Sequence, residues 1–195
     1  ITGSVGKTGS KDLLAHALSR LGRTHANKHS FNNHIGVPLS LATLPADYDF
    51  AVQEIGMNRS GEIAALTAIT RPTVALVTRV AGTHSAFFKS IDEIAIAKAE
   101  IFEGLISGGI AVLNRDDDFF PMLSEAAKQA GASRIITFGR HCKSEFCLLG
   151  AEQIQNGMLV RAKIGGNEIC FKLRMHGVHW AQNALGVLAC VAALD

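Results

Sequence analysis

The stretch Ile1-Thr2-Gly3-Ser4-Val5-Gly6-Lys7-Thr8 says most about the fold of this chain. Glycine at positions 3 and 6 allows backbone N–H groups to approach an anion closely. The following residues, 8 to 21, have the spacing of a helix, whose positive dipole end would face the same anion. A tight glycine turn running into a helix is typical of a phosphate-binding loop.

Two side chains of this loop indicate a nucleoside triphosphate bound together with Mg²⁺. Lys7 can reach the β- and γ-phosphates, and the Thr8 hydroxyl can ligate the metal. The general pattern has glycine five residues before Gly6, where this chain has Ile1. An ordinary turn before a helix is the alternative, but Gly-Lys-Thr favours phosphate binding. The backbone of Gly3, Ser4, Val5 and Gly6 would complete the nucleotide-binding site.

Composition narrows the class of protein. A chain of 195 residues with 48% hydrophobic and 18% charged residues fits one globular domain. The net charge of +2, without a basic run, argues against nucleic-acid binding. No apolar stretch is long enough to span a membrane, and no signal peptide is apparent. We expect a cytoplasmic protein, and separately we expect it to be a monomer. The four cysteines form no C-x-x-C pair, which favours reduced structural thiols over a zinc site.

Apolar runs alternate with helical patterns, which predicts an α/β fold with a mostly parallel sheet and helices on both faces. The predicted strands are 49–54, 73–80, 110–114 and 134–138. The predicted helices are 8–21, 61–69, 91–106, 119–130 and 180–193. Between residues 145 and 173 the pattern changes to short strands, including 158–164 and 168–173 around Gly165-Gly166-Asn167, and predicts a small antiparallel subsheet.

Glu54 ends the predicted strand 49–54. Ligands of open α/β sheets bind beyond the carboxyl ends of the strands. An acid at that edge, facing a phosphate-binding loop, is the expected second anchor for Mg²⁺. The alternative is a surface acid at the end of a strand.

Lys98 lies within the apolar stripe of the predicted helix 91–106, between Ile94 and Ile101. A buried ammonium without a partner is costly. The side chain must therefore extend to solvent, find a partner or be chemically altered.

Two loops follow predicted strands or helices and carry polar residues. His84 comes after the strand 73–80, where it is either an ordinary loop residue or a metal or phosphate contact. The segment 32–38, Asn-Asn-His-Ile-Gly-Val-Pro, is predicted as a polar turn that could bind a polar ligand.

Together these residues resemble the Mur ligase family of ATP-dependent, peptide-bond-forming enzymes, over essentially the whole chain. The matching stretches are the phosphate loop at 1–8, Asn-Asn-His-Ile-Gly-Val-Pro-Leu at 32–39, Glu-Ile-Gly-Met-Asn-Arg-Ser-Gly-Glu-Ile at 54–63, His84, Ala-Lys-Ala-Glu-Ile-Phe at 97–102, Asn-Arg-Asp-Asp-Asp at 114–118 and His-Trp-Ala-Gln-Asn-Ala at 179–184. The second and third stretches look most like the branch that adds D-alanyl-D-alanine to a UDP-muramoyl-tripeptide.

The resemblance implies roles for individual residues. Lys7 and the loop would hold the ATP phosphates, while Thr8 and Glu54 would hold one Mg²⁺ and His84 a second. Lys98 would be a carbamylated lysine, which replaces a buried cation by an anion able to pair with Mg²⁺. Asn183 would contact the adenine, and Asn32 and Asn33 would lie on the nucleotide-sugar side. Trp180, where the family often has Asn, and Ala86, where it often has an acid, depart from the pattern.

The resemblance also implies that residues 1–195 are the central, ATP-binding domain of a longer protein, without its N-terminal UDP-sugar domain and C-terminal domain. Such a domain alone is expected to bind nucleotide weakly and not to ligate. Two alternatives stay open at this point. One is another acid–amine ligase of the superfamily, such as a folylpolyglutamate synthase-like enzyme. The other is a P-loop ATPase module without ligase chemistry.

Overall fold

The computed structural model describes residues 1–82 and 87–194. The helices are α1 (Lys7–Leu18), α2 (Gly36–Ala42), α3 (Glu62–Thr70), α4 (Ile91–Ala99), α5 (Phe120–Gln129) and α6 (Val178–Ala192), with a 3₁₀ turn at Glu100–Gly104 after α4. The strands are β1 (Thr24–Ala26), β2 (Phe50–Val52), β3 (Val74–Val77), β4 (Ile110–Asn114), β5 (Arg134–Gly139), β6 (Phe146–Ile154), β7 (Gly157–Ile164) and β8 (Asn167–Leu173).

Residues Ile1 and Thr2 join two sheets into one continuous surface. Strands β1 and β2 form a parallel pair, and β3 to β8 form a six-stranded sheet in chain order. The backbone of Ile1 bonds to Gln53 and Ile55 beyond β2, while Thr2 bonds to Leu76 and Thr78 along β3. The phosphate loop therefore leaves the middle of the sheet at the carboxyl ends of its parallel strands.

Helices cover both faces of the sheet, as the sequence predicts. On one face α1 and α6 pack against alternate strand residues such as Leu76 and Val112. On the other face α3, α4 and α5 pack against the intervening residues, such as Val77 and Leu113. This alternation follows from the two-residue period of a strand and places two apolar cores on either side of one sheet.

Most predicted elements are confirmed, including the antiparallel subsheet, in which β6, β7 and β8 pair in hairpins. Several boundaries were wrong. The strands predicted at 49–54 and 73–80 span only Phe50–Val52 and Val74–Val77, and the helix predicted at 8–21 ends at Leu18. The predicted helix 91–106 is α-helical only to Ala99 and tightens into a 3₁₀ turn to Gly104. The predicted turn 32–38 ends at Ile35, because α2 begins at Gly36. The short strand β1 and helix α2 were not predicted.

Candidate functional site

The phosphate loop is held against the end of β3 by several hydrogen bonds. The hydroxyl of Thr78 donates to the Val5 carbonyl at 2.7 Å, and that of Ser4 donates to the Ala81 carbonyl at 2.8 Å. A Cβ at Gly3, where φ is +149°, would overlap the Thr78 hydroxyl. Glycine is therefore required at position 3 for both its backbone angle and its lack of a side chain.

The N-terminus of α1 is open to an anion. Its N-cap, Gly6, has φ of +84° and offers no capping side chain, and the first turn has no acidic residue. The first N–H groups of a helix have no intrahelical acceptor, so an anion at this end is favoured. Lys7 crosses the loop and donates to the Gly3 carbonyl at 2.8 Å. The predicted metal ligand Thr8 lies exposed in the same turn.

Glu54 lies two residues beyond β2 and is 1% exposed, which excludes the surface-acid alternative. Its Oε1 accepts a hydrogen bond of 2.6 Å from the amide of Asn32. Its Oε2 is buried and, among described residues, has no hydrogen-bond partner. A buried carboxylate oxygen without a donor is costly unless a cation occupies its free side. This oxygen fits a Mg²⁺ ligand, since magnesium binds through one or two carboxylates together with phosphate and water.

Lys98 is 1% exposed, so its ammonium does not extend to solvent. Burial lowers its pKa to about 7, and repulsion from Lys7 contributes to the shift. Burial also lowers the pKa of Lys7, while the charge of Glu54 opposes that shift. Lys7 is thus close enough in the fold to both Glu54 and Lys98, which lie far from it in sequence, for their charges to interact with its own.

Asn183, predicted to contact adenine, and Asn32 and Asn33, predicted to contact substrate, each lie in different surroundings. Asn183 on α6 lies beside the phosphate loop, since a Cβ at Gly6 would lie 2.9 Å from its amide. Asn32 contacts Glu54, as described above. The Oδ1 of Asn33 accepts hydrogen bonds from the N–H groups of Ile35 and Gly36, at the start of α2.

Part of the predicted site lies outside the described residues. His84 falls between residues 82 and 87, so its predicted metal contact stays a prediction. Within the ranges 1–82 and 87–194, no three His, Cys, Asp or Glu side chains cluster as a metal site.

Sequence reasoning missed Asn27 and Lys11, which hydrogen-bond to the backbone around Glu54 and the loop before Asn32. Asn27 directly follows β1, and its side chain bonds to the backbone of Glu54. Lys11 is 2% exposed in α1 and donates to the carbonyls of Asn27 and His29. Lys11 shares an apolar stripe with Leu14 and Leu18, so the pattern that identified Lys98 could have found it. Asn27 left no such signal, because β1 has only three residues.

Comparisons with known proteins show the family of the chain. Residues 1–191 match the Mur ligase middle domain. The chain belongs to the Mur ligase family. Over its whole length it is 31% identical to the UDP-N-acetylmuramoyl-tripeptide–D-alanyl-D-alanine ligase of Rickettsia prowazekii and 35% identical to that of Synechocystis. Its fold matches a crystal structure of MurF from Acinetobacter baumannii with a TM-score of 0.92 and 32% identity, over 99% of this chain.

These Mur ligase relatives are longer than the chain. It spans 43% and 40% of the Rickettsia and Synechocystis proteins, and 42% of the Acinetobacter chain. No described helix of this Mur ligase domain is long and apolar enough to cross a membrane. All four cysteines are free; Cys147 and Cys190 are buried, whereas Cys142 and Cys170 are exposed.

Proposed function

We propose that this chain is the ATP-binding domain of a ligase that joins D-alanyl-D-alanine to a UDP-N-acetylmuramoyl-tripeptide in peptidoglycan precursor synthesis. The observation that carries the proposal is the identity of 31% and 35%, over the whole chain, to two proteins named for that reaction. The open helix N-terminus beside Lys7 and the buried Glu54 support it, because both suit a nucleoside triphosphate with a metal.

ATP would bind with its phosphates in the loop from Gly3 to Thr8. The free N–H groups at the start of α1 would bind phosphate oxygens, and Lys7 would exchange its bond to the Gly3 carbonyl for one to a phosphate. Asn183, at the edge of the loop, would contact the adenine. Substitution of Lys7 is expected to weaken nucleotide binding because a backbone loop alone cannot balance the phosphate charge.

Mg²⁺ would be held by Thr8 and by the unpartnered Oε2 of Glu54, with His84 and a modified Lys98 at a second metal. When bound, the metal neutralises charge on the phosphates that take part in the transfer. Asn32 keeps the other oxygen of Glu54 engaged, so that only one side of the carboxylate faces the nucleotide.

Carbamylation of Lys98 would resolve the cost of its burial. The neutral amine attacks CO₂ through nitrogen, a C–N bond forms, and loss of one proton leaves a carbamate anion. Burial favours the neutral amine, because it lowers the pKa of Lys98 to about 7. The resulting anion would lie near Lys7, so that the repulsion between two cations becomes an attraction.

The reaction would begin when the carboxylate of the UDP-muramoyl-tripeptide attacks the γ-phosphate of ATP, which forms an acyl phosphate and releases ADP. The amine of D-alanyl-D-alanine then attacks the acyl carbon, and a tetrahedral intermediate collapses with loss of phosphate and a proton. Lys7 would stabilise charge on the transferred phosphoryl group, which is where catalysis of this class gains most. No side chain of the domain need form a covalent bond to substrate.

The length of the relatives supports a central domain within a longer enzyme, with the nucleotide-sugar site and the amine site completed by flanking domains. Asn32 and Asn33 would face the nucleotide-sugar side. We propose a monomeric, cytoplasmic enzyme, and we expect residues 1–195 alone to bind ATP weakly and not to ligate.

The test is ADP release by the full-length protein with both substrates, and with UDP-muramoyl-tripeptide or D-alanyl-D-alanine omitted in turn. The proposal requires sustained release that depends on both substrates. Release with other acids and amines in place of these two would indicate another acid–amine ligase of the superfamily. ADP release that does not depend on any acceptor substrate would indicate a P-loop ATPase.

A further inference from the structure

Strands β1 and β2 run parallel, with Ala26 opposite Val52, and leave the sheet side by side at the edge that carries the site. Beyond this pair the backbones separate, since the chain after Asn27 turns away into the loop that leads to Asn32. The backbone of Glu54 would then lack the neighbour that a longer strand would provide. Its N–H and C=O groups are buried, and buried backbone groups need partners.

The side chain of Asn27 provides those partners. Its Oδ1 accepts from the Glu54 N–H at 2.9 Å, and its Nδ2 donates to the Glu54 carbonyl at 3.0 Å. A primary amide presents one acceptor and a donor in the same plane, so it can pair with a residue as a neighbouring strand would. Two bonds to one residue fix the backbone of Glu54 and, with it, the direction of its Cα–Cβ bond.

The same amide also ties down the loop. The second N–H of Asn27 donates to the Phe31 carbonyl at 2.8 Å, and Lys11 donates to the carbonyls of Asn27 and His29 at 3.0 and 2.7 Å. Asn32, which follows Phe31 in this loop, donates its amide N–H to Oε1 of Glu54. Asn27 is 2% exposed and has used both amide hydrogens and its oxygen within these contacts.

We propose that Asn27 is a positioning residue that aims the carboxylate of Glu54 at the metal by pairing with its backbone and by anchoring the Asn32 loop. The proposal rests on the proposed function, because it takes Glu54 as the Mg²⁺ anchor. Asn27 holds the backbone of Glu54 and Asn32 holds Oε1, which leaves Oε2 as the oxygen presented to the cation. Neither residue need touch the metal.

The test substitutes Asn27→Asp in the full-length protein, which keeps the shape of the side chain but removes both donors. ADP affinity is measured by calorimetry, first in EDTA and then at increasing Mg²⁺. We expect ADP affinity in EDTA to be unchanged, since the phosphate loop is intact. The Mg²⁺ concentration for half-maximal tightening should rise about 10-fold, as for other residues that orient metal ligands.

Asn114→Asp is the matched control. Asn114 is also a buried asparagine at the carboxyl end of a strand, and its amide donates to the Thr78 carbonyl. The same chemical change there should leave the Mg²⁺ midpoint at its wild-type value. If Asn27→Asp does not fold, Asn27→Ser removes most of the amide contacts without adding charge, and its midpoint should shift in the same direction.

The outcomes separate the two proposals. A folded Asn27 variant with a wild-type Mg²⁺ midpoint overturns the role of Asn27 alone. Equal losses of ADP affinity in EDTA and in Mg²⁺ also overturn it, because they indicate a general structural role. A wild-type protein whose ADP affinity ignores Mg²⁺ overturns the proposed metal site and this proposal with it.

Discussion

Two buried lysines in two helices have opposite surroundings. Lys11 in α1 donates to two loop carbonyls and lies 3.1 Å from Asp12. Lys98 in α4 is equally buried but faces the positive charge of Lys7, and its pKa falls to about 7. The first ammonium is stabilised by the fold, whereas the second is destabilised by it.

Two buried carboxylates repeat the contrast. Glu100 accepts hydrogen bonds from the hydroxyl of Ser60 and from the N–H groups of Gly61 and Ala64, at the N-terminus of α3. Glu54 has one oxygen without a partner among described residues. Lys98 and Glu54 both lie near Lys7 of the phosphate loop, whereas Lys11 and Glu100 hold the elements around it. Burial alone therefore does not mark function, but burial without complementary charge does.

The largest expected effect is on catalysis. Lys98→Ala in the full-length protein should lower ligation about 100-fold or more, because the proposed carbamate can no longer form. Added formate or acetate should restore part of the activity by occupying the space of the lost carboxylate. The measurement is ADP release with both substrates.

Lys7→Ala is the control for that rescue. It should also be inactive, but short carboxylates should not restore it, because a cation has been lost. Rescue of both variants, or of neither, would contradict the assigned role of Lys98.

The second prediction compares the stabilities of Lys11→Met and Lys98→Met. Lys11→Met leaves two carbonyls without a donor and should lower the free energy of unfolding by about 2–4 kcal/mol. Lys98→Met removes a poorly solvated cation and should leave stability unchanged or raised by about 1–3 kcal/mol at pH 7. Urea unfolding of the 195-residue chain measures both, and a large loss in Lys98→Met would show that Lys98 is a structural cation.

The residues of the proposed site are easier to find in the sequence than the residues that hold them in place. Gly3 to Thr8 and Lys98 were predictable because a phosphate loop and a charge within an apolar stripe are local patterns. The long periodic helices and central strands were predictable for the same reason. Asn27, by contrast, acts through Glu54, 27 residues away, and pairing across a three-residue strand leaves no periodic signal.

Helix α4 shows a different reason for error. Its apolar stripe continues past Ala99, so the sequence favoured one helix to residue 106. The turn instead tightens at Glu100, whose carboxylate caps α3. A tertiary contact of this kind overrides local propensity and cannot be read from spacing.

The third prediction compares Glu100→Gln with Glu54→Gln. Glu100→Gln weakens three charge-assisted bonds at a helix N-terminus and should cost about 1–2 kcal/mol of stability. Glu54→Gln keeps the bond from Asn32 but removes the charge proposed for Mg²⁺, so it should change stability little and abolish the effect of Mg²⁺ on ADP affinity. Equal stability losses in the two variants would remove the distinction between the carboxylates.

The smallest expected effect is a pH dependence of stability due to Lys98, measured in CO₂-free buffer so that no carbamate forms. The lysine pKa is 10.5 when unperturbed and about 7 in the fold. Between these values the unfolded chain binds a proton that the folded chain does not. Stability therefore rises with pH across this window, and the burial cost is fully present below about pH 7.

Lys98→Met lacks this titration and serves as the reference. From pH 7.5 to 8.5 the stability of the wild-type chain should rise by about 1 kcal/mol relative to Lys98→Met. A parallel pH profile for the wild-type chain and Lys98→Met would mean that a further partner keeps Lys98 charged, and the two buried lysines would then be alike.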